Sequence, residues 1–264
     1  MRAVRGAVLR TRYLGMDHSV HIAVRDLSLG YGSYLVMEHV SFDVRRGDVF
    51  VIMGGSGSGK STLLNALIGL LEPAAGEIFY NGESFTRADA GRRRELLRQF
   101  GVLFQFGALW SSLTLIENVT LPLEELTTLG RGEIHDLAEL KLALVGLGSF
   151  VDFYPDQISG GMRKRAGLAR AMALDPELLF FDEPSSGLDP VSARRLDDLI
   201  LELRDSLGTT VVVISHDLAS IFAIADDGIY LDAKTKTVTA KGDPKEMRAR
   251  PPNPEVGAFL TRSA

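Results

Sequence analysis

The sequence predicts an α/β fold in which a largely parallel sheet, buried on both faces, is interrupted by a helical insert. Three observations predict it. Continuous apolar runs at 49–53, 178–181 and 211–214 have the length of strands covered on both sides. A Gly-rich loop and then helical periodicity follow the first of these, and a helical stretch separates the other two. Between about Phe106 and Ala173 the pattern is one of helices joined by short loops.

The elements follow in order. Ile22 and Val24 alternate with less apolar neighbours, and Leu27 and Leu29 resume the alternation one position out of step. This stretch and residues 39–44 read as strands parted by a turn at Gly30-Tyr31-Gly32. After the run at 49–53 a helix is expected through Leu63, Leu64, Ala66, Leu67 and Leu70. Residues 76–80 read as a strand, and Asn81-Gly82 is a hairpin turn pair. Leu137, Leu140, Leu144 and Leu147, three and four apart, mark a helix of the insert. Pro190 suits a first helical turn, with Leu196, Leu199, Ile200 and Leu203 as the apolar stripe. Residues from Pro251 are Pro-rich and then briefly helical.

Composition narrows the function. At 264 residues the chain is one large domain or two small ones, and 45% hydrophobic against 24% charged residues is enough for a packed core. The absence of Cys removes disulfides, thiolate zinc sites and cysteine nucleophiles together. A net charge of −5 argues against general nucleic-acid binding. No run approaches the ~20 apolar residues of a membrane-spanning helix. Arg2, Arg5, Arg10 and Arg12 precede no apolar stretch of the kind a signal peptide needs, so residues 1–20 are expected to be a flexible extension, with Met16 a possible start. A soluble, cytoplasmic protein is expected.

Gly54-Gly55-Ser56-Gly57-Ser58-Gly59-Lys60-Ser61 matches G-x-x-x-x-G-K-[ST] in full, directly after a buried strand and opening a helix. Glycines let the backbone wrap phosphate oxygens with its N–H groups turned inward, and the helix N-terminus adds partial positive charge. Lys60 supplies a charge for the β- and γ-phosphates, and Ser61 a hydroxyl for Mg²⁺. Together these point to a nucleoside triphosphate. The apolar run at 178–181 ends in Asp182-Glu183. An acid at the end of a neighbouring strand belongs near Mg²⁺, leaving Glu183 as general base for water. A plain pair of strand-end acids is the alternative, and alone His216 and Gln105 would be unremarkable.

Ile158-Ser159-Gly160-Gly161-Met162, followed by Arg165 and Ala169-Arg170-Ala171, resembles the signature of ATP-binding cassette (ABC) ATPases, with Ile158 and Met162 departing from its usual Leu-Ser-Gly-Gly-Gln. Tyr31 before the phosphate loop, Gln105 at the head of the insert, Ser186-Gly187-Leu188-Asp189 after Glu183, and His216 complete the family's order. The resemblance implies a RecA-like phosphate-loop core with an antiparallel β subdomain and an inserted helical subdomain at about 106–173. It implies ATP and Mg²⁺ as cofactors, and a head-to-tail homodimer. In such a dimer Ser159, Gly160 and Gly161 grip the partner's γ-phosphate. Tyr31 stacks on adenine, Gly54 to Gly59 with Lys60, Ser61 and Thr62 hold the phosphates, and Ser61, Gln105 and Asp182 hold the metal. His216 contacts the γ-phosphate, and Asp189 bridges the subunits or merely caps a helix.

Within that family, the segment from Gly101 through Gln105, Trp110 and Asn118 to Leu123 is similar to the ATPases of Mla/MCE-type lipid transporters, and Ser-Gly-Gly-Met is usual there. The cassette is expected over 21–250 and a short tail over 251–264, which either reaches a partner ATPase or packs on its own domain. Forty-eight residues after His216 leave no room for the added regulatory domain of some importers. The implied partners are integral membrane permease subunits and an MCE-domain substrate-binding protein, with the ATPase held at the cytoplasmic face of the inner membrane through the permease. In that family, the surface around residues 105–113 receives a permease helix. Another ABC transporter, for a small solute or for lipoprotein release, and a soluble regulatory or DNA-maintenance ATPase are the alternatives.

Overall fold

The computed structural model describes residues 19–262, so the expectations for residues 1–18 lie outside the described residues. Strand β1 (Val20–Tyr31) pairs antiparallel with β2 (Tyr34–Arg45) and with β4 (Ala75–Tyr80), which turns through Asn81-Gly82 into β5 (Glu83–Ser84). These form an antiparallel sheet in the order β2-β1-β4-β5. The phase slip seen in the sequence of β1 is physical. Val24 faces Phe42 while Leu27 faces Val40, so β1 carries an extra residue there, and Asp26 takes a left-handed φ of 48°. A second bulge on β2 at His39, φ 55°, restores the register, and His39 Nδ1 lies 2.7 Å from Asp26 Oδ1.

The second sheet runs β10-β9-β3-β8-β7-β6. Its members are β3 (Val49–Gly54), β6 (Phe100–Leu103), β7 (Leu178–Asp182), β8 (Thr210–Ile214), β9 (Asp227–Asp232) and β10 (Thr237–Lys241). All neighbours are parallel except the edge strand β10. Alternation within each apolar run turns successive residues to opposite faces of the sheet, with Val51 and Met53 of β3 joining a third core. Phe50, Ile52, Phe180, Val212 and Ile214 face the antiparallel sheet and α1 (Lys60–Leu67), with Phe42 stacked 5.4 Å from Phe50. Val49, Leu179, Phe181, Val211 and Val213 face a helical layer. That double burial is why these runs lack polar interruptions.

The helices after α1 are α2 (Ala90–Leu97), α3 (Leu115–Leu126), α4 (Arg131–Leu144), α5 (Gly160–Ala171), α6 (Pro190–Leu207), α7 (Leu218–Ile224), α8 (Pro244–Ala249) and α9 (Pro254–Thr261). Two expectations are corrected. α1 ends at Leu67, its chain turned by Gly69 at φ 79°, so Leu70 is exposed rather than part of its apolar face. In α4 the buried residues are Ile134, Ala138, Lys141 and Leu142, while Leu140 and Leu144 face outward. Ile134, Ala138 and Leu142 at four-residue spacing win the seam against α3 and α5, and Lys141 joins them by burying its stem and pairing with Asp175. α9 packs on its own domain, with Val256 and Leu260 buried and Phe259 5.3 Å from Tyr230. Asn253 caps it by accepting from Val256 N.

The two sheets are also joined at the edge away from the phosphate loop. His21 is 2% exposed and lines a cavity of about 440 Å³ with Arg46, Glu177 and Leu203. Its Nδ1 lies 2.7 Å from Thr210 Oγ1, which accepts from Gly47 N, leaving the hydroxyl proton for a neutral imidazole. Burial first, and then Arg46, push its pKa from 6.5 down to about 4, against a smaller opposite pull from Glu177. Between those values the unfolded chain binds a proton that the folded one refuses, so stability falls as pH drops. The His21 contribution is a loss on the order of 3 kcal/mol between pH 6.5 and 4. In urea unfolding across that range, His21→Gln is expected to flatten the profile, and a variant keeping the whole slope refutes this origin.

Candidate functional site

Parallel pairing brings four strand ends to one edge. Ile214 pairs with both Ile52 and Asp182, and Leu103 pairs with Phe181. Directly beyond those ends stand the phosphate loop after β3, Glu183 after β7, His216 after β8 and Gln105 after β6. This is the edge at which open parallel sheets bind ligands.

The phosphate loop is shaped by its glycines. Gly59 is the N-cap of α1 at φ 89°, and a Cβ there would sit 2.6 Å from Met37 Cε and 2.8 Å from Val36 Cγ1. Gly55, by contrast, has open space around it. Ser58 Oγ is buried with no hydrogen-bond partner among the described residues, an orphaned polar atom inside the loop. A glycine-rich loop, an unsatisfied hydroxyl and a lysine at a helix N-terminus fit a triphosphate. Lys60 Nζ donates to Gly54 O and Gly55 O, both at 2.9 Å. Burial lowers its pKa, while Glu183 and Asp182 pull the other way. Burial raises the Asp182 pKa, Glu183 adds to this, and Lys60 opposes it.

Glu183 does not take its direction from the strand. β7 ends at Asp182, and Glu183 turns left-handed at φ 48°, a conformation costing about 1–3 kcal/mol that only firm surroundings maintain. Its N donates to Ile214 O at 2.9 Å, and its carboxylate Oε1 lies 2.7 Å from His216 Nδ1. The carboxylate is mostly sheltered while the imidazole is largely exposed. The Glu183–His216 pair was not visible in the sequence. Gln105 Nε2 reaches Ser186 Oγ at a long 3.4 Å.

Other expected residues stand apart from the hydrogen bonds described at this edge. Ser159 caps α5, its Oγ accepting from Met162 N at 3.2 Å, with Gly160 and Gly161 in the first turn. Met162 packs against the helical core. Asp189 caps α6, accepting from Val191 N and Ser192 N at 3.0 Å, and these bonds with the Ser192 hydroxyl hold its pKa low. Tyr31 is exposed at the tip of the β1–β2 hairpin, and Ser61 and Thr62 lie in the first turn of α1. Lys164, which the sequence reading passed over, is buried and donates to three carbonyls of the loop after β7. Nothing in the sequence marked it apart from its place in α5.

Fold and site together define a phosphate-loop nucleoside triphosphatase. Residues 37–186 match the ABC transporter family. The chain is 39% identical, over 93% of its length and 91% of theirs, to the intermembrane phospholipid transport system ATP-binding protein MlaF of Escherichia coli strain K12. It is 40% identical, over 93% of its length but 70% of theirs, to the probable ribonucleotide transport ATP-binding protein mkl of Mycobacterium leprae. Among solved structures, the ATP-binding cassette MJ0796, a dimer in a post-hydrolysis state with ADP and Pi, is 28% identical with a TM-score of 0.75, over 84% of this chain and 98% of that one. The chain belongs to the ABC transporter family, and it is an ATPase that binds ATP.

The loop geometry sets the motif's fixed Gly59 apart from Gly55, which stands at one of its open positions. Gly59→Ala is expected to lower nucleotide affinity by about tenfold or more, since its φ strains any side chain and the methyl group would displace Met37 and Val36. Gly55→Ala is expected to bind within about threefold of the wild type. Titration with a fluorescent ATP analogue measures both.

Proposed function

We propose that this chain powers an Mla/MCE-type lipid transporter as a head-to-tail dimer, enclosing ATP between one chain's phosphate loop and the other's Ser159-Gly160-Gly161. The observation that carries the lipid reading is the similarity to MlaF over nearly the full length of both chains, which reaches past the ATPase motifs. The mkl relative matches equally well in identity but extends well beyond the shared length.

In this reading the amides of Gly54 to Gly59, with Ser58 Oγ, Lys60 Nζ and the Ser61 and Thr62 hydroxyls, bind the phosphates, and Tyr31 stacks on the base. Ser61, Asp182 and Gln105 are oxygen donors suited to Mg²⁺, which supplies charge neutralisation at the β- and γ-oxygens. Glu183 takes the proton of the attacking water, a role worth about 10²–10⁴ in rate. His216 Nδ1 holds the Glu183 carboxylate, which leaves the other ring nitrogen for the γ-phosphate. Asp189 caps α6 where the partner chain would meet it.

No helix among the described residues is long and apolar enough to cross a membrane. Attachment to the cytoplasmic face of the inner membrane is therefore proposed to run through permease subunits, with an MCE-domain protein in the same system. Phe106 and Trp110, 84% and 59% exposed after Gln105, offer an apolar landing surface for a permease helix. Asn118 fixes that loop, its Oδ1 accepting from Trp110 N and its two amide hydrogens shared among Trp110 O, Leu113 O and Thr114 O.

Lys60→Ala is expected to abolish ATP binding by equilibrium titration. Glu183→Gln is expected to bind ATP, lose hydrolysis by about 10²-fold or more, and accumulate dimers in gel filtration with ATP. Turnover at the wild-type rate removes Glu183 as the base. Purified from membranes with a tag, the chain is expected to bring down a polytopic subunit and an MCE-domain protein. In liposomes that complex's ATPase should respond to phospholipid, whereas a response to ribonucleotides alone favours the mkl-like reading.

A further inference from the structure

The helix that opens at Ser159 carries a buried ammonium slightly more than one turn in. Lys164 is 6% exposed, and its Nζ donates to Glu183 O at 3.1 Å, Pro184 O at 2.7 Å and Ser186 O at 2.6 Å. An ammonium has three donors, and all three are spent on one short stretch of backbone. Burial lowers its pKa, and the charge of Glu183 opposes that by favouring the ammonium form.

Those carbonyls matter because of where Glu183 stands. Its left-handed backbone is not held by the sheet ladder beyond its own N–H, which donates to Ile214 O. Its carbonyl is held by Lys164 Nζ and by Ser186 N at 3.2 Å. Pinning the nitrogen at one end and the carbonyl at the other fixes both backbone torsions, and so the direction in which the carboxylate leaves the chain. Ser186, gripped by the same ammonium, also receives Gln105 Nε2. The opposite end of the lysine stem is rooted in α5, whose first turn packs against α6: a Cβ on Gly161 would meet Ser192 at 3.5 Å and Leu188 at 3.8 Å.

We propose that Lys164 is a positioning residue for hydrolysis that couples the two sites of the dimer, fixing in one chain both the Ser159 end that meets the partner's ATP and the Glu183 peptide that faces its own. This rests on the composite-site reading above. A displacement of α5 by the partner's γ-phosphate is passed through one side chain to the carbonyls that aim the base. An apolar residue at this position would leave three carbonyls unanswered and the torsions of Glu183 set by Ile214 O and Ser186 N alone.

The test compares Lys164→Met, of similar length without donors, with Lys164→Arg, which keeps them. Lys164→Met is expected to bind ATP within about threefold of wild type while kcat falls about tenfold or more, and Lys164→Arg to recover most of that loss. Lys164→Gln, which retains two donors, replaces Lys164→Met if the latter does not fold. A lowered melting temperature with kcat intact overturns the positioning role. Mixed dimers of one Lys164→Met and one wild-type chain then test the coupling. Each site draws on the altered chain, so the rate is expected to fall to about a quarter of wild type or less, whereas a rate of about half overturns the link. Failure of the composite site itself shows elsewhere, as Glu183→Gln chains with Lys164 intact that do not pair in ATP.

Discussion

The in-register pairing of β3, β8, β7 and β6 is the constraint on which the rest of the molecule depends. Ile52, Ile214 and Asp182 lie abreast across three strands, and Phe181 stands beside Leu103 on the fourth. Strands β8 and β7 feed alternate residues to two separate cores, and β3 sends Val51 and Met53 to a third beside them. A slip of one residue would exchange those faces along a whole strand and carry its terminal loop about 3.3 Å along the sheet. Hydrophobic burial on both sides therefore sets the placement of polar groups that make no contribution to either core.

The edge so formed gathers charge in partly desolvated surroundings. Lys60 loses some of its preference for the ammonium form and Asp182 some of its preference for the carboxylate, each moderated by the other. Neither group is at ease there on its own terms. Glu183 is steadied differently, by a ring nitrogen on its carboxylate and by backbone partners at both ends of its peptide unit. The site thus combines groups whose charge is held by one another with a carboxylate whose direction is held by the frame.

Much of this was legible in the sequence, because the features concerned are local. The buried strands, the phosphate loop, the acids after β7 and the caps at Ser159 and Asp189 each depend on residues adjacent in the chain. What escaped depends on partners distant in sequence. Strands β6, β9 and β10 do not stand out in the sequence. The leucine stripe of α4 was assigned the wrong phase, because Ile134, Ala138 and Leu142 compete with it and only α3 and α5 decide between them. The slip at Leu27 was visible as an irregularity, but its cause, paired bulges at Asp26 and His39, needed the facing strand. The Glu183–His216 and Lys164 contacts join residues 33 and 19 to 22 positions apart, through a turn whose handedness the sequence does not announce.

Tyr31 belongs to one sheet and Lys60 to the helix that leaves the other, and the two bodies touch where Met37 and Val36 close over Gly59. In the proposed reading, a nucleotide met at its base by the first and at its tail by the second would be a ruler laid across a seam. Its span is graduated by a hydrogen atom, since anything larger on that α-carbon would push Met37 and Val36 aside, so the spacing between the hairpin and the cradle is calibrated by the smallest side chain available.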